Sequence, residues 1–342
     1  MVLLEELLKK AGEVGASDVH LTVSSPPVFR IDGEMKALGT ETLTKEHLAA
    51  FLNVLTNNKQ QRVFEEKGEL DFSYGIAGLG RYRVNIFRQR GSIGIVMRLI
   101  PFHIRSPEEL GLPAAVTNFT TLHRGLVLVT GPTGSGKSTT LASLINLINN
   151  TRSGHIITIE DPIEYLHQHR KCLVNQREVG QDTESFASAL RAALRQDPDI
   201  ILIGEMRDLE TIAMAVTAAE TGHLVFSTLH TNDAAQAIDR IIDVFPPHQQ
   251  NQIRVQLASV LQGVVAQQLF PLLNQPGRVA AYEVLLATPA VRNMIREGKT
   301  HQIKNVIQTS SQLGMQTMEK AVEELMKKGL ISPQLARERL QG

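Results

Sequence analysis

Eight consecutive residues carry the clearest chemistry in this 342-residue chain: Gly131-Pro132-Thr133-Gly134-Ser135-Gly136-Lys137-Ser138. They fit the pattern G-x-x-x-x-G-K-[ST] in full. Glycines at these places let main-chain N–H groups turn inward around phosphate oxygens, and the N-terminus of a following helix adds its dipole. A lysine at the seventh place sets a cation between β- and γ-phosphates, and a hydroxyl at the eighth ligates Mg²⁺. The plainer reading is a glycine-rich turn before a helix. The apolar run Leu126-Val127-Leu128-Val129 leading in, and a helix from Thr139 to Asn150 leading out, favour a phosphate loop that takes ATP or GTP with Mg²⁺.

Acids and histidines recur at the ends of other apolar runs. Ile200-Ile201-Leu202-Ile203 ends in Gly204-Glu205. Glycine stands where an aspartate is usual, which leaves Glu205 to hold Mg²⁺ through water or to polarise a nucleophile. Ile156-Ile157-Thr158-Ile159 runs into Glu160-Asp161-Pro162-Ile163-Glu164, and one of these carboxylates can orient an attacking water as general base. Residue spacing does not choose between Glu160 and Glu164, and a capped loop is the plainer reading. Thr221 to His230 places two histidines around a further strand. His230, at its C-terminal end, can sense a γ-phosphate or can be a satisfied structural residue. Arg81, Arg83, Arg88, Arg90 and Arg98 cluster earlier in the chain. They fit a solvated face, a nucleic-acid surface, or arginines that reach a transition-state phosphate.

The elements that must position these groups fall into two patterns. Up to about residue 100 the reading is α/β: a helix over Met1–Gly15, strands over Asp18–Val23 and Val28–Ile31, a hairpin turn at Asp32-Gly33, a helix over Lys45–Leu55 capped by Thr44, and strands over Asp71–Ile76, Gly80–Arg88 and Gly94–Ile100. Pro101 to Pro107 reads as a linker. Beyond it strand and helix alternate: strands over Gly125–Thr130, His155–Ile159, Ile200–Ile203, Leu224–Thr228 and Val279–Leu286, with helices over Ser138–Asn150, Ser185–Leu194, Leu209–Glu220, Ala234–Val244 and Gln249–Leu269 between them. Such alternation predicts a parallel sheet covered on both faces. Helices over Ala290–Arg296, His301–Ser310 and Met315–Lys328, and a short one after Pro333, complete the chain.

Composition narrows the function classes. Lys plus Arg (35) equals Asp plus Glu (35), which argues against a general nucleic-acid coat. The single cysteine, Cys172, excludes a disulfide within the chain and a cysteine-built zinc site. Acids interrupt the apolar start, unlike a signal peptide, and no window approaches about 18 uninterrupted apolar residues. The expectation is a cytoplasmic chain with no membrane span of its own.

Taken together, Gly131–Ser138, Thr158–Glu164, Ile203–Asp208 and Thr221–His230 resemble the secretion and type IV pilus ATPases, whose four motifs stand in this order. The glycine at Gly204 is shared, and Ser17-Asp18-Val19-His20-Leu21 extends the likeness toward the start. Ala290–Glu297 and Gly314–Met318 resemble the retraction branch of that family, with Val291 and Met294 where Ile and Leu are usual. Assembly and type II secretion members usually carry a four-cysteine zinc element, which a chain with one cysteine lacks. The resemblance implies an N-terminal PAS-like α+β domain over 1–100, a linker over 101–112, a RecA-like P-loop ATPase domain over 113–288 and a helical region over 289–342. It implies a homohexamer of ATP-hydrolysing subunits that retracts type IV pili, working on an inner-membrane platform protein. Gly131, Pro132, Thr133, Gly134, Ser135, Gly136, Lys137, Ser138 and Thr139 would hold ATP, and Ser138 with Glu205 would hold Mg²⁺. Glu164 becomes the general base, His230 the sensor, and Arg83 and Arg98 the γ-phosphate contacts. A pilus-assembly or type II secretion ATPase, and a nucleic-acid translocase, are the competing readings.

Overall fold

The computed structural model describes residues 4–31, 33–76, 80–100, 103–334 and 336–337. Met1–Leu3, Asp32 of the expected hairpin, and Pro101 and Phe102 of the expected linker lie outside the described residues, as does most of the stretch after Pro333. The chain divides into two compact units, Met1–His103 with Glu164–Leu166, and Ile104–Ile163 with His167–Gly342.

The first unit runs α1 (Leu4–Glu13), β1 (Asp18–Thr22), β2 (Val28–Ile31), β3 (Glu34–Ala37), α2 (Lys45–Leu55), α3 (Asn58–Lys67), β4 (Glu69–Ile76), β5 (Gly80–Gln89) and β6 (Ser92–Ile100). Its strands form a six-stranded sheet in the order β3-β2-β1-β6-β5-β4, antiparallel throughout. Strand periodicity sorts the residues by face. One cross-strand row reads Phe29, Val19, Met97, Val84, Phe72, all buried. Leu8, Leu48, Phe51 and Phe64 of the helices join the same core. The adjacent row reads Arg30, Asp18, Arg98, Arg83, Ser73. Burying each large apolar side chain of the first row is worth about 1.5–3 kcal/mol, which fixes the register and sends the arginines to the other face.

The second unit carries α4 (Ala114–Thr117), β7 (Gly125–Thr130), α5 (Lys137–Thr151), β8 (Gly154–Glu160), β9 (Cys172–Glu178), α6 (Phe186–Ala193), β10 (Ile200–Ile203), α7 (Leu209–Glu220), β11 (Leu224–Thr228), α8 (Ala234–Asp243), α9 (Pro247–Val260), β12 (Leu261–Pro271), β13 (Arg278–Leu286), α10 (Pro289–Arg296), α11 (Ile303–Thr309) and α12 (Met318–Lys327). A seven-stranded sheet has the order β13-β12-β7-β11-β10-β8-β9. β7, β8, β10 and β11 are continuous apolar runs because helices cover both faces: Leu126, Leu128 and Ile203 pack with α7, α8 and α9, and Val127, Val129 and Leu202 with α5.

Three features depart from the sequence reading. The expected helix over Gln249–Leu269 ends at Val260, and the chain continues as β12. β12 pairs in parallel with β7 and antiparallel with β13, so the sheet is mixed rather than all parallel. Gly263 allows this: a Cβ there would meet the Phe119 ring at 2.3 Å and the Leu285 carbonyl oxygen at 2.7 Å. The edge strand β9 and the helix α3 are additional elements. Cys172 opens β9 in a buried position, where burial pushes its thiol pKa up, in line with an inert thiol.

Candidate nucleotide site

The order of the central strands brings the candidate groups to one edge of the sheet. β7, β11, β10 and β8 lie side by side and parallel, so the segments leaving their C-terminal ends are gathered there. These segments hold Gly131–Lys137 after β7, His230 after β11, Gly204-Glu205 after β10, and Glu160-Asp161 at the end of β8. In open α/β sheets this edge is where ligands bind.

The loop itself is shaped by three glycines at positive φ: Gly131 (+145°), Gly134 (+78°) and Gly136 (+89°). Gly136 is the N-cap of α5 and supplies no side chain to its first N–H groups, so they are left for an acceptor from outside the helix. Lys137 is only 8% exposed, and its Nζ donates to the carbonyls of Gly131 (2.7 Å) and Pro132 (3.0 Å). The ammonium is thereby folded over the loop, where a phosphate would sit. Ser138 and Thr139 are half-buried in the first turn. Thr130 ties this loop to the next strand end: its Oγ1 accepts from the Thr231 N–H at 3.0 Å and lies 2.8 Å from the Thr231 carbonyl.

Glu205 stands at the end of β10 with its side chain 19% exposed. One carboxylate oxygen meets Arg207 Nε at 2.7 Å and the other meets His230 Nε2 at 3.2 Å. The structure therefore brings Glu205 and His230 together. The other histidine of that stretch, His223, has Nδ1 2.9 Å from the Ala218 carbonyl, at the opposite end of β11, and is structural. Gly204 also has a local reason. Its N–H donates to the Ile159 carbonyl at 2.7 Å, and a Cβ there would lie 3.3 Å from Glu160 Cα and from the Ile159 oxygen. An aspartate side chain at this place would press on the neighbouring strand.

The two acids that spacing left open differ in surroundings. The Glu160 carboxylate accepts from Thr158 Oγ1 at 2.6 Å and from Gln176 Nε2 at 3.2 Å. Glu164 is exposed, and the preceding Ile163 N–H is fixed by the buried Glu178 carboxylate at 3.1 Å. The Asp161-Pro162 bond between them is cis.

Arg83 and Arg98, in the first unit, face each other directly across β5 and β6 and are both exposed. Arg98 Nε donates to Asp18 at 2.8 Å. Burial works to raise the Asp18 pKa, but the hydrogen bonds from Arg98 and Ser17 and the Arg98 charge hold it below the usual carboxylate range. Arg83 has no ion-pair partner among the described residues.

The donor set suits Mg²⁺. Among the described residues no group of three or more His, Cys, Asp or Glu could cage a metal. Mg²⁺ ordinarily takes one or two oxygen groups from the protein and the rest from phosphates and water. Ser138 and Glu205 fit that pattern. A cleft of about 890 Å³ runs along the outer side of the loop, past Pro132, Ser135, Leu269 and Arg278. Its walls include none of Lys137, Ser138 and Glu205, so it adjoins the phosphate side of the loop without being it.

Residues 1–276 match the family described as Type II/IV secretion system protein. The chain belongs to that family. It is 51% identical over 336 residues to the type IV pilus retraction ATPase PilT of Pseudomonas aeruginosa, a match covering 98% of this chain and 97% of the relative. A twitching motility protein of Neisseria gonorrhoeae is 49% identical over 315 residues, covering 92% of this chain and 84% of that one. The crystal structure of the pilus retraction motor PilT with bound ADP superposes with a TM-score of 0.91 at 50% identity, covering 99% of this chain and 97% of that chain. The family reading made from the four motifs stands, as does a mixed α/β fold holding a secretion-type ATPase domain.

Other residues shape the site without having stood out in the sequence. Arg207 neutralises Glu205, Thr130 and Thr231 clasp two strand ends, and Gln267 of β12 packs on the phosphate loop. Arg207 lies inside the Ile203–Asp208 motif and Thr130 and Thr231 each adjoin one, whereas Gln267 lies far from all four.

Proposed function

We infer that this chain is an ATP-hydrolysing motor that powers type IV pilus retraction. The observation that carries this is an intact phosphate loop, Glu205 and His230 on one sheet edge, in a chain that matches a retraction ATPase over nearly its whole length. Lys137 and the first-turn N–H groups bind the phosphates, and Ser138 and Glu205 would hold Mg²⁺, which would supply positive charge against the phosphate oxygens. Glu164 orients the attacking water. The engaged carboxylate of Glu160 and the exposed one of Glu164 support that choice. His230, against Glu205, reports whether the γ-phosphate is present.

Arg83 and Arg98 supply positive charge to the γ-phosphate. Arg98 is steadied by Asp18, and Arg83 gains an anionic partner when phosphate arrives. Arg83→Ala is expected to lower kcat by about 10²-fold while ADP affinity stays near wild type. Phosphate release and ADP titration on the same purified protein check this, and wild-type turnover would remove the role. The domains follow the boundaries 1–100, 101–112, 113–288 and 289–342. Identical subunits close head to tail into a hexameric ring, the form a heterologous contact takes when its rotation closes. The ring lies on the cytoplasmic side and reaches the inner membrane through a platform protein. No helix among the described residues is long and apolar enough to cross a membrane.

Deletion of the gene tests the direction of the motor. Excess surface pili with no twitching is the expected phenotype. A bald cell would mean an assembly motor instead.

A further inference from the structure

Gln267 is a glutamine with 2% exposure on a strand between two others, a costly place for a primary amide unless both its ends are used. Both are. β12 runs parallel to β7 with Ala266 opposite Thr130, which puts Gln267 one step further, alongside Gly131 where the phosphate loop begins. Its Oε1 accepts from Thr140 Oγ1 in the first turns of α5 at 2.7 Å, and its Nε2 donates to the Ser135 carbonyl at 2.7 Å. Turning the amide over would set its oxygen against the Ser135 carbonyl oxygen, so the orientation is fixed by chemistry.

The glycines of the loop are built around the same residue. A Cβ on Gly131 would lie 2.3 Å from the Gln267 carbonyl oxygen, and one on Gly136 would lie 2.9 Å from Gln267 Nε2. Gly134, by contrast, has nothing within 4 Å of where its Cβ would be. Two of the three glycines therefore serve the close approach of β12, and the third stands clear of it.

We propose that Gln267 is a positioning residue for the phosphate loop: its carboxamide spaces the Ser135 carbonyl from the first turns of α5 and so aims the loop N–H groups at the phosphates. It touches no phosphate itself. The proposal rests on the reading of Gly131–Ser138 as the nucleotide site. Without the amide, the buried Ser135 carbonyl loses this donor and the loop relaxes away from the geometry that binds phosphate.

The test uses full-length protein, Gln267→Leu and Gln267→Glu, with fluorescent ADP as probe. Gln267→Leu keeps the volume and removes both hydrogen bonds. ADP affinity is expected to fall about tenfold, in line with one lost bond and one orphaned buried group. Gln267→Glu gives a readout that packing alone does not move. Its buried carboxyl, while protonated, can accept from Thr140 and donate to Ser135 as the amide does. Once ionised it sets negative charge against that carbonyl and toward the phosphates. Its ADP affinity relative to wild type is therefore expected to be near parity at low pH and to fall as pH rises, whereas the Gln267→Leu ratio stays flat. Wild-type affinity in Gln267→Leu, or a Gln267→Glu ratio that does not change with pH, overturns the proposal, even if either variant melts earlier. If wild type binds ADP and loses it on Lys137 substitution while both Gln267 variants are unaffected, this inference falls and the loop reading stands. Failure of wild type to bind ADP removes both.

Discussion

Glu205→Gln is expected to bind ADP as wild type does and to lose ATP turnover by about 10³-fold. Nothing in the loop geometry depends on Glu205: Lys137 is held by Gly131 and Pro132, and the loop backbone by β12. What changes is the charge at the end of β10. The amide keeps the volume but no longer offers a carboxylate to Arg207 or His230, nor to the Mg²⁺ that Glu205 is proposed to hold. Charge placed where the transition state develops it is the main source of catalysis in phosphoryl transfer, so the loss falls on kcat and not on ground-state binding. Phosphate release and fluorescent ADP titration on one preparation separate the two. Full hydrolysis by the variant would show that Glu205 only pairs with Arg207 and His230 and has no part in turnover.

The position of Glu205 could be read from the sequence because four apolar residues, Ile200 to Ile203, end abruptly at Gly204. A run of that length with no polar interruption fits a strand buried on both faces, and acids at its end then face the ligand edge. β7 and β11 were legible for the same reason. β12 was not. Pro247 starts a helical pattern, and between it and Phe270 only Gly263 interrupts it. Nothing local distinguishes Leu261-Gln262-Gly263-Val264-Val265 from one more turn. The decision is tertiary: Val264 and Val265 fill positions between β7 and β13 that a helix could not enter. Read as helix, this stretch conceals Gln267, because a glutamine on a helix reads as a solvated residue. α3 was missed for a different reason. Phe64 is its only buried residue, so it has no apolar stripe to find, and it is held by the Asn57 and Gln60 capping box. Spacing does not separate Glu160 from Glu164, because they differ in contacts the sequence does not show: Thr158 and Gln176 engage the Glu160 carboxylate, while Glu164 is exposed.

Lys137→Met is expected to abolish the stabilisation that nucleotide gives while leaving the unliganded protein close to its wild-type melting temperature. Methionine retains most of the apolar stem in a position that is only 8% exposed, so packing is nearly conserved and the charge is what is lost. The two carbonyls that the ammonium serves, those of Gly131 and Pro132, open onto a loop where Pro132 and Thr133 are exposed, and water can take over part of that role. Against a phosphate about 4 Å away, a unit charge at an effective dielectric of about 20 contributes about 4 kcal/mol, or close to 10³-fold in Kd. Ligand at about 100 times the wild-type Kd stabilises the fold by about 2.7 kcal/mol, and a 10³-fold weaker site leaves almost none of that. A thermal shift series with ADP reads the difference directly. A Lys137→Met protein whose melting temperature still climbs with ADP as wild type does would mean that the nucleotide binds elsewhere. The roles given to Ser138, Glu205 and Gln267 would then fall with the loop.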